Sequence, residues 1–200
     1  APVALSSTLF NCSIVIWRGN IMGIVPQYNT PITGEAATQR WFTAGKTLPD
    51  NCYVSICGEK AEISNQKIFS TPHCTFAIET EADLLSATPH SSALSAAGAE
   101  IILCQAASCE AAEKYNYIKN QCCAQSGRTI GGYIYTSCGY GESSGDAVFA
   151  GNSFIVENGT ILQQSERFSM KSRLTICEID VEKIRHDRIN SNMQIGRASC

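Results

Sequence analysis

The stretch Ala99-Glu100-Ile101-Ile102-Leu103-Cys104 is an almost uninterrupted apolar run. A strand that alternates apolar and polar residues can leave one face in water. A strand apolar on both sides must be covered on both. This run therefore predicts a buried central strand in a sheet covered on at least one face, by helices and by a second sheet. Residues 91–98, alanine-rich and closed by Gly98, read as the helix before it. Residues 109–126 have helical composition and read as the helix after it, and 129–137 as the next strand. Residues 12–17 and 21–25 form a hairpin across Arg18-Gly19-Asn20. Residues 53–56 and 74–78 are strand candidates. Residues 148–157 and 160–164 flank Asn158-Gly159, a strong hairpin signal. Residues 174–181 read as a last strand and 182–189 as a charged helix. The whole is mixed α/β.

Two hundred residues, 44% hydrophobic, can bury one sizeable core. Only 16% are charged and the net charge is −3. Phosphate neutralisation needs clustered Lys and Arg, so a nucleic-acid binder is excluded. No apolar run reaches membrane-spanning length, and the first residues do not form a signal peptide. The eleven cysteines include no Cys-x-x-Cys pair, and His73, His90 and His186 have no ligand spacing, so no metal site is expected. Cys12, Cys104 and Cys177 lie in apolar runs and read as buried thiols in a reducing, cytoplasmic setting.

The segment Gly139-Tyr140-Gly141-Glu142-Ser143-Ser144-Gly145-Asp146, followed by Glu157-Asn158-Gly159 and Ser165-Glu166-Arg167-Phe168, resembles the nitrilase-type (carbon–nitrogen hydrolase) glutaminase domain of glutamine-dependent NAD+ synthetase. The likeness extends from Leu9-Phe10-Asn11-Cys12 to Ile179-Asp180-Val181-Glu182. It implies an α/β nitrilase-like α-β-β-α sandwich, here an N-terminally truncated single domain over residues 1–190. Residues 191–200 are then a tail, with 195–200 matching what one frame of a sequencing adapter encodes. It implies glutamine as substrate and a homo-oligomer formed through this domain. It implies no cofactor here, with ATP and deamido-NAD+ bound by a ligase domain outside this sequence.

The resemblance also implies amide hydrolysis by a Glu–Lys–Cys triad, in which a thiolate attacks the amide carbonyl. The lysine follows a Val-Pro step; after Val25-Pro26 this chain has Gln27. The nucleophile motif aligns with Phe76-Ala77-Ile78-Glu79-Thr80-Glu81-Ala82-Asp83, which puts Glu81 at the cysteine position. The triad glutamate would fall before Ala1. A further glutamate position carries Thr38, and an aromatic substrate-loop position carries Thr33. Ser108 and Lys114 match substrate-binding positions. Read from the residues alone, Ser108 fits a strand-end cap equally well and Lys114 a solvated helix residue. The expectation is a chain of glutaminase descent without glutaminase activity. A non-catalytic assembly role and a different nitrilase-family amidase are the alternatives.

Overall fold

The computed structural model describes residues 1–30, 40–142 and 145–191. Two sheets form its body. The smaller contains β1 (Pro2–Leu5), β2 (Thr8–Trp17), β3 (Asn20–Pro26), β4 (Cys52–Ile56) and β5 (Glu59–Ile63), in spatial order β1-β2-β3-β5-β4. The larger contains β6 (Phe69–Ser70), β7 (Thr75–Thr80), β8 (Ile101–Ala106), β9 (Gly132–Ser137), β10 (Ser153–Glu157) and β11 (Thr160–Gln164). Its order is β11-β10-β9-β8-β7-β6. Strands β7, β8 and β9 are parallel, and β10 and β11 close the sheet as an antiparallel hairpin.

The apolar run becomes β8, placed between β7 and β9 as expected. Its alternate side chains serve two layers. Ile102 and Cys104 face the helical side, in a core with Leu94 of α2 (His90–Ala96) and Ile118 and Cys122 of α3 (Lys114–Thr129). Leu103 packs on the other face, with Val15 and Val25 from the smaller sheet and Phe69, Phe76 and Ile78 from the larger. The smaller sheet buries its own cluster of Val3, Phe10, Ile24, Val54 and Ile63. Three layers of the nitrilase-like sandwich are thus described: helices, larger sheet, smaller sheet.

Both predicted hairpin turns form with two consecutive positive-φ residues. These are Arg18 and Gly19 at +50° and +84°, and Asn158 and Gly159 at +46° and +84°. That is the twist-matched geometry of a two-residue hairpin. Gly159 also lies against α3, where its Cα is 3.5 Å from the point a Cβ on Gly127 would occupy.

Several expectations are corrected. α3 begins at Lys114, not near 109, because the preceding segment is tied down elsewhere: Glu110 N donates to Val148 O at 2.7 Å. The strand expected over 148–157 is confined to β10 for the same reason. Residues 174–181 are not a strand. They form neither strand nor helix until α4 (Val181–Asn190) begins at Val181. Cys177 is consequently exposed, whereas Cys12 and Cys104 are buried as expected. β1, β5, the two-residue β6 and the short α1 (Glu81–Leu84) were not foreseen. The tail at 192–200 lies outside the described residues. No helix among the described residues is long and apolar enough to cross a membrane.

Candidate functional site

The site is built at the C-terminal ends of β7 and β8, where a parallel sheet commonly presents its chemistry. β7 runs directly into α1, so Glu81 is the first residue of a single helical turn. Asp83, two residues on, is 1% exposed and ties four groups together. It accepts hydrogen bonds from Thr80 N (3.2 Å) and Thr80 Oγ1 (2.8 Å), which fix the turn. It also accepts from Tyr28 N (3.3 Å) and Asn29 N (2.7 Å), the two residues after Gln27. The exit of β3 is thereby stapled to the helix that carries Glu81. Tyr28 further stacks on His90 at 4.0 Å between ring centroids.

Glu81 is buried at 6% exposure. Its Oε2 accepts a hydrogen bond from the Ser108 hydroxyl, which lies just past the end of β8. Its Oε1 stands 3.8 Å from Lys114 Nζ and has no hydrogen-bond partner. Lys114 opens α3 and is anchored by donating to Cys109 O at 2.9 Å. The two groups matched to substrate-binding positions therefore converge, and they converge on Glu81. Lys114 is a partly covered ion-pair member, not a fully solvated helix residue. Ser108 caps no strand end; it serves the carboxylate.

Gln27 is buried at the end of the β3 exit. Its Oε1 accepts from Asn11 Nδ2 at 3.0 Å, so it is engaged by the neighbouring strand β2. Thr33 and Thr38 lie outside the described residues.

Two further groups feel the negative charge of Glu81. Burial pushes the Cys138 thiol up, and the negative charges of Glu142 and Glu81 add to that; Lys114 opposes it. Burial and Glu81 likewise raise the Tyr135 phenol. A thiol held above its ordinary range stays protonated and is a poor nucleophile. Among the described residues no group of three metal-ligating side chains is assembled. A polar cavity of about 340 Å³ lies elsewhere, bounded by Ser137, Gly151, Ser165 and Arg173, and none of the expected site residues lines it.

Sequence reasoning missed Glu79, two residues before Glu81. It is 2% exposed, and its carboxylate accepts from the Tyr133 hydroxyl and from Ser91 N at 2.7 Å. Burial pushes its carboxyl up to about 7, with Asp83 adding a smaller upward push; the bonds from Tyr133 and Ser91 pull the other way. An acidic residue inside an otherwise apolar strand was the available signal.

The fold is a nitrilase-like α/β sandwich. Solved structures agree: a carbon–nitrogen hydrolase from Helicobacter pylori G27 matches 94% of this chain and 63% of its own, with a TM-score of 0.73 at 17% identity. A glutamine-dependent NAD(+) synthetase from Cytophaga hutchinsonii matches with a TM-score of 0.73 at 21% identity, over 88% of this chain and 28% of its own. Homologues by sequence are glutamine-dependent NAD(+) synthetases. Those of Mycobacterium tuberculosis and Mycobacterium bovis are 26% identical over 192 residues, 94% of this chain. That of Mycobacterium leprae is 24% identical over 206 residues. The chain spans 28% to 30% of the length of these curated relatives. No family model matches it.

Proposed function

We propose that this chain is a glutaminase-type domain, of the kind joined to NAD+ synthesis, that does not itself hydrolyse glutamine. The observation that carries the reading is the closed arrangement of Glu81, Ser108 and Lys114. A carboxylate stands where the resemblance calls for a thiol, and it engages the hydroxyl and faces the ammonium that would otherwise receive a substrate. A carboxylate is a weak nucleophile toward a neutral amide. Its negative charge also repels the oxyanion that amide attack creates. Gln27, at the lysine position, brings no positive charge to offset this, and its amide oxygen is already bonded to Asn11.

The test is ammonia release from glutamine by the purified chain. We expect none above a protein-free control. Release that disappears in Glu81→Gln would overturn the reading, because it would assign turnover to the very residue argued to lack it. Glu81→Ala should free Ser108 and Lys114, and calorimetry should then register glutamine binding that the unaltered chain does not give.

A further inference from the structure

We propose that Asn158 is a site of spontaneous deamidation that the fold holds shut, and that its conversion to a carboxylate loosens α4 from the sheet. The inference is independent of the reading of the Glu81 site. Asparagine is a chemically labile residue, and most so before glycine, where no side chain hinders the following amide. Asn158-Gly159 is such a pair. In the reaction Gly159 N attacks Asn158 Cγ. The N–Cγ bond forms, the Cγ–Nδ2 bond breaks, and the Gly159 amide proton leaves with Nδ2 as ammonia. Water then opens the succinimide ring at either carbonyl. One product is aspartate. The other is isoaspartate, in which the main chain runs through the former side chain. Water is the sole co-reactant.

The attacking atom and the leaving group are both restrained. Gly159 N donates to Ser126 Oγ of α3 at 3.2 Å, so the nucleophile is held by another element. Asn158 Nδ2 donates to Asp187 Oδ2 of α4 at 2.7 Å, which fixes the carboxamide. Asn158 Oδ1 takes up negative charge as the ring closes. It is buried and has no donor among the described residues, and the Asp187 carboxylate on the same amide repels that charge. The turn itself is clamped: Asn158 N donates to Gly131 O at 3.2 Å, and Gly159 rests against Gly127. After deamidation an oxygen stands where Nδ2 was. It offers Asp187 no proton, so two carboxylates face each other where a hydrogen bond held the helix. Isoaspartate also lengthens a two-residue turn and disturbs the pairing of Glu157 with Thr160. The change runs one way, and it starts only when α3 or α4 lets the turn go.

The test is peptide mapping by mass spectrometry after long incubation of the intact 200-residue chain in mildly alkaline buffer, folded and in urea. We expect conversion at Asn158 to be roughly tenfold or more faster in urea. Asp187→Ala frees Nδ2 and should speed conversion in the folded chain about threefold to tenfold, the range one hydrogen bond spans. Asp187→Asn keeps an acceptor oxygen and should return most of the protection, which a general loosening of α4 would not. Far-ultraviolet circular dichroism checks that both variants fold, and the comparison of folded and urea-treated chain needs no variant. Asn158→Asp installs one product directly and should speed amide hydrogen exchange in α4. Equal rates in the folded and urea-treated chain overturn the proposal. So does an unchanged rate in Asp187→Ala, or an Asn158→Asp chain whose α4 exchanges as before.

Discussion

Asp83 accepts the backbone N–H of Asn29 at 2.7 Å, joining residues 54 positions apart. Through that bond the loop after Gln27 and the helical turn bearing Glu81 hold a common position. Asp83 is buried, and it accepts from Tyr28 and from Thr80 as well. Asp83→Ala leaves four partly buried donors without an acceptor. Each such loss costs about 1–3 kcal/mol, so a total of about 3 kcal/mol or more is expected. Urea denaturation measures it, and a change below about 1 kcal/mol would remove Asp83 as the staple.

Glu79 gives the fold a pH dependence of definite sign. Its carboxyl is raised to about 7 in the folded chain, against an ordinary value of 4.5. The folded state therefore binds the proton more tightly than the unfolded one. The stabilisation is complete below about pH 4.5 and is lost as pH rises through about 7, an effect on the order of 3 kcal/mol. Glu79→Gln keeps a neutral group at the site. Stability measured from pH 5 to 8, about the span over which the group titrates, should lose this slope in the variant. An unchanged slope would assign it to another group.

Arg188 links, through three carbonyls, two segments that sequence keeps about 30 residues apart, Ala99 and Thr129-Ile130. It donates to Ile130 O at 2.7 Å, Ala99 O at 2.9 Å and Thr129 O at 3.1 Å. Lysine cannot reproduce this planar fork. Arg188→Lys is expected to cost about 2 kcal/mol and Arg188→Ala more, with thermal denaturation as the check.

The thiols should react in distinct classes. Cys57 and Cys177 are exposed, while Cys12, Cys104 and Cys122 are buried. Burial pushes the Cys12 thiol up to about 12 and raises Cys104 and Cys122 as well. A disulfide reagent at neutral pH should modify Cys57 and Cys177 first. The three buried thiols should respond only on unfolding in guanidinium. Mass spectrometry assigns the sites, and early labelling of Cys104 would contradict the packing.

The sequence made some elements legible and hid others for physical reasons. β8 announced itself because covering both faces demands apolar residues at every step. The Asn158-Gly159 turn did so because few residues adopt consecutive positive φ. β5 was hidden by its polar composition: in Glu59-Lys60-Ala61-Glu62-Ile63 only Ala61 and Ile63 are buried. The segment 174–181 misled for the opposite reason. Its side chains suit a strand, but a strand exists only where another supplies its hydrogen bonds. At the site, Glu81, Ser108 and Lys114 could each be singled out from motif positions. Their mutual engagement could not, because it depends on a contact spanning 27 residues between Ser108 and Glu81.

The Arg188 clasp also bears on how the chain folds. Its three acceptors come from the turn before β8 and from the end of α3, and none is positioned until β8, α3 and β9 have come together. The clasp is therefore a late event, closed after long loops have been drawn in and their entropy lost. During synthesis α4 is the last described element to emerge, so every earlier segment must wait with its apolar faces incompletely held. Refolding should accordingly show α4 with low φ-values: truncating Ile184 should speed unfolding and leave the folding rate nearly unchanged.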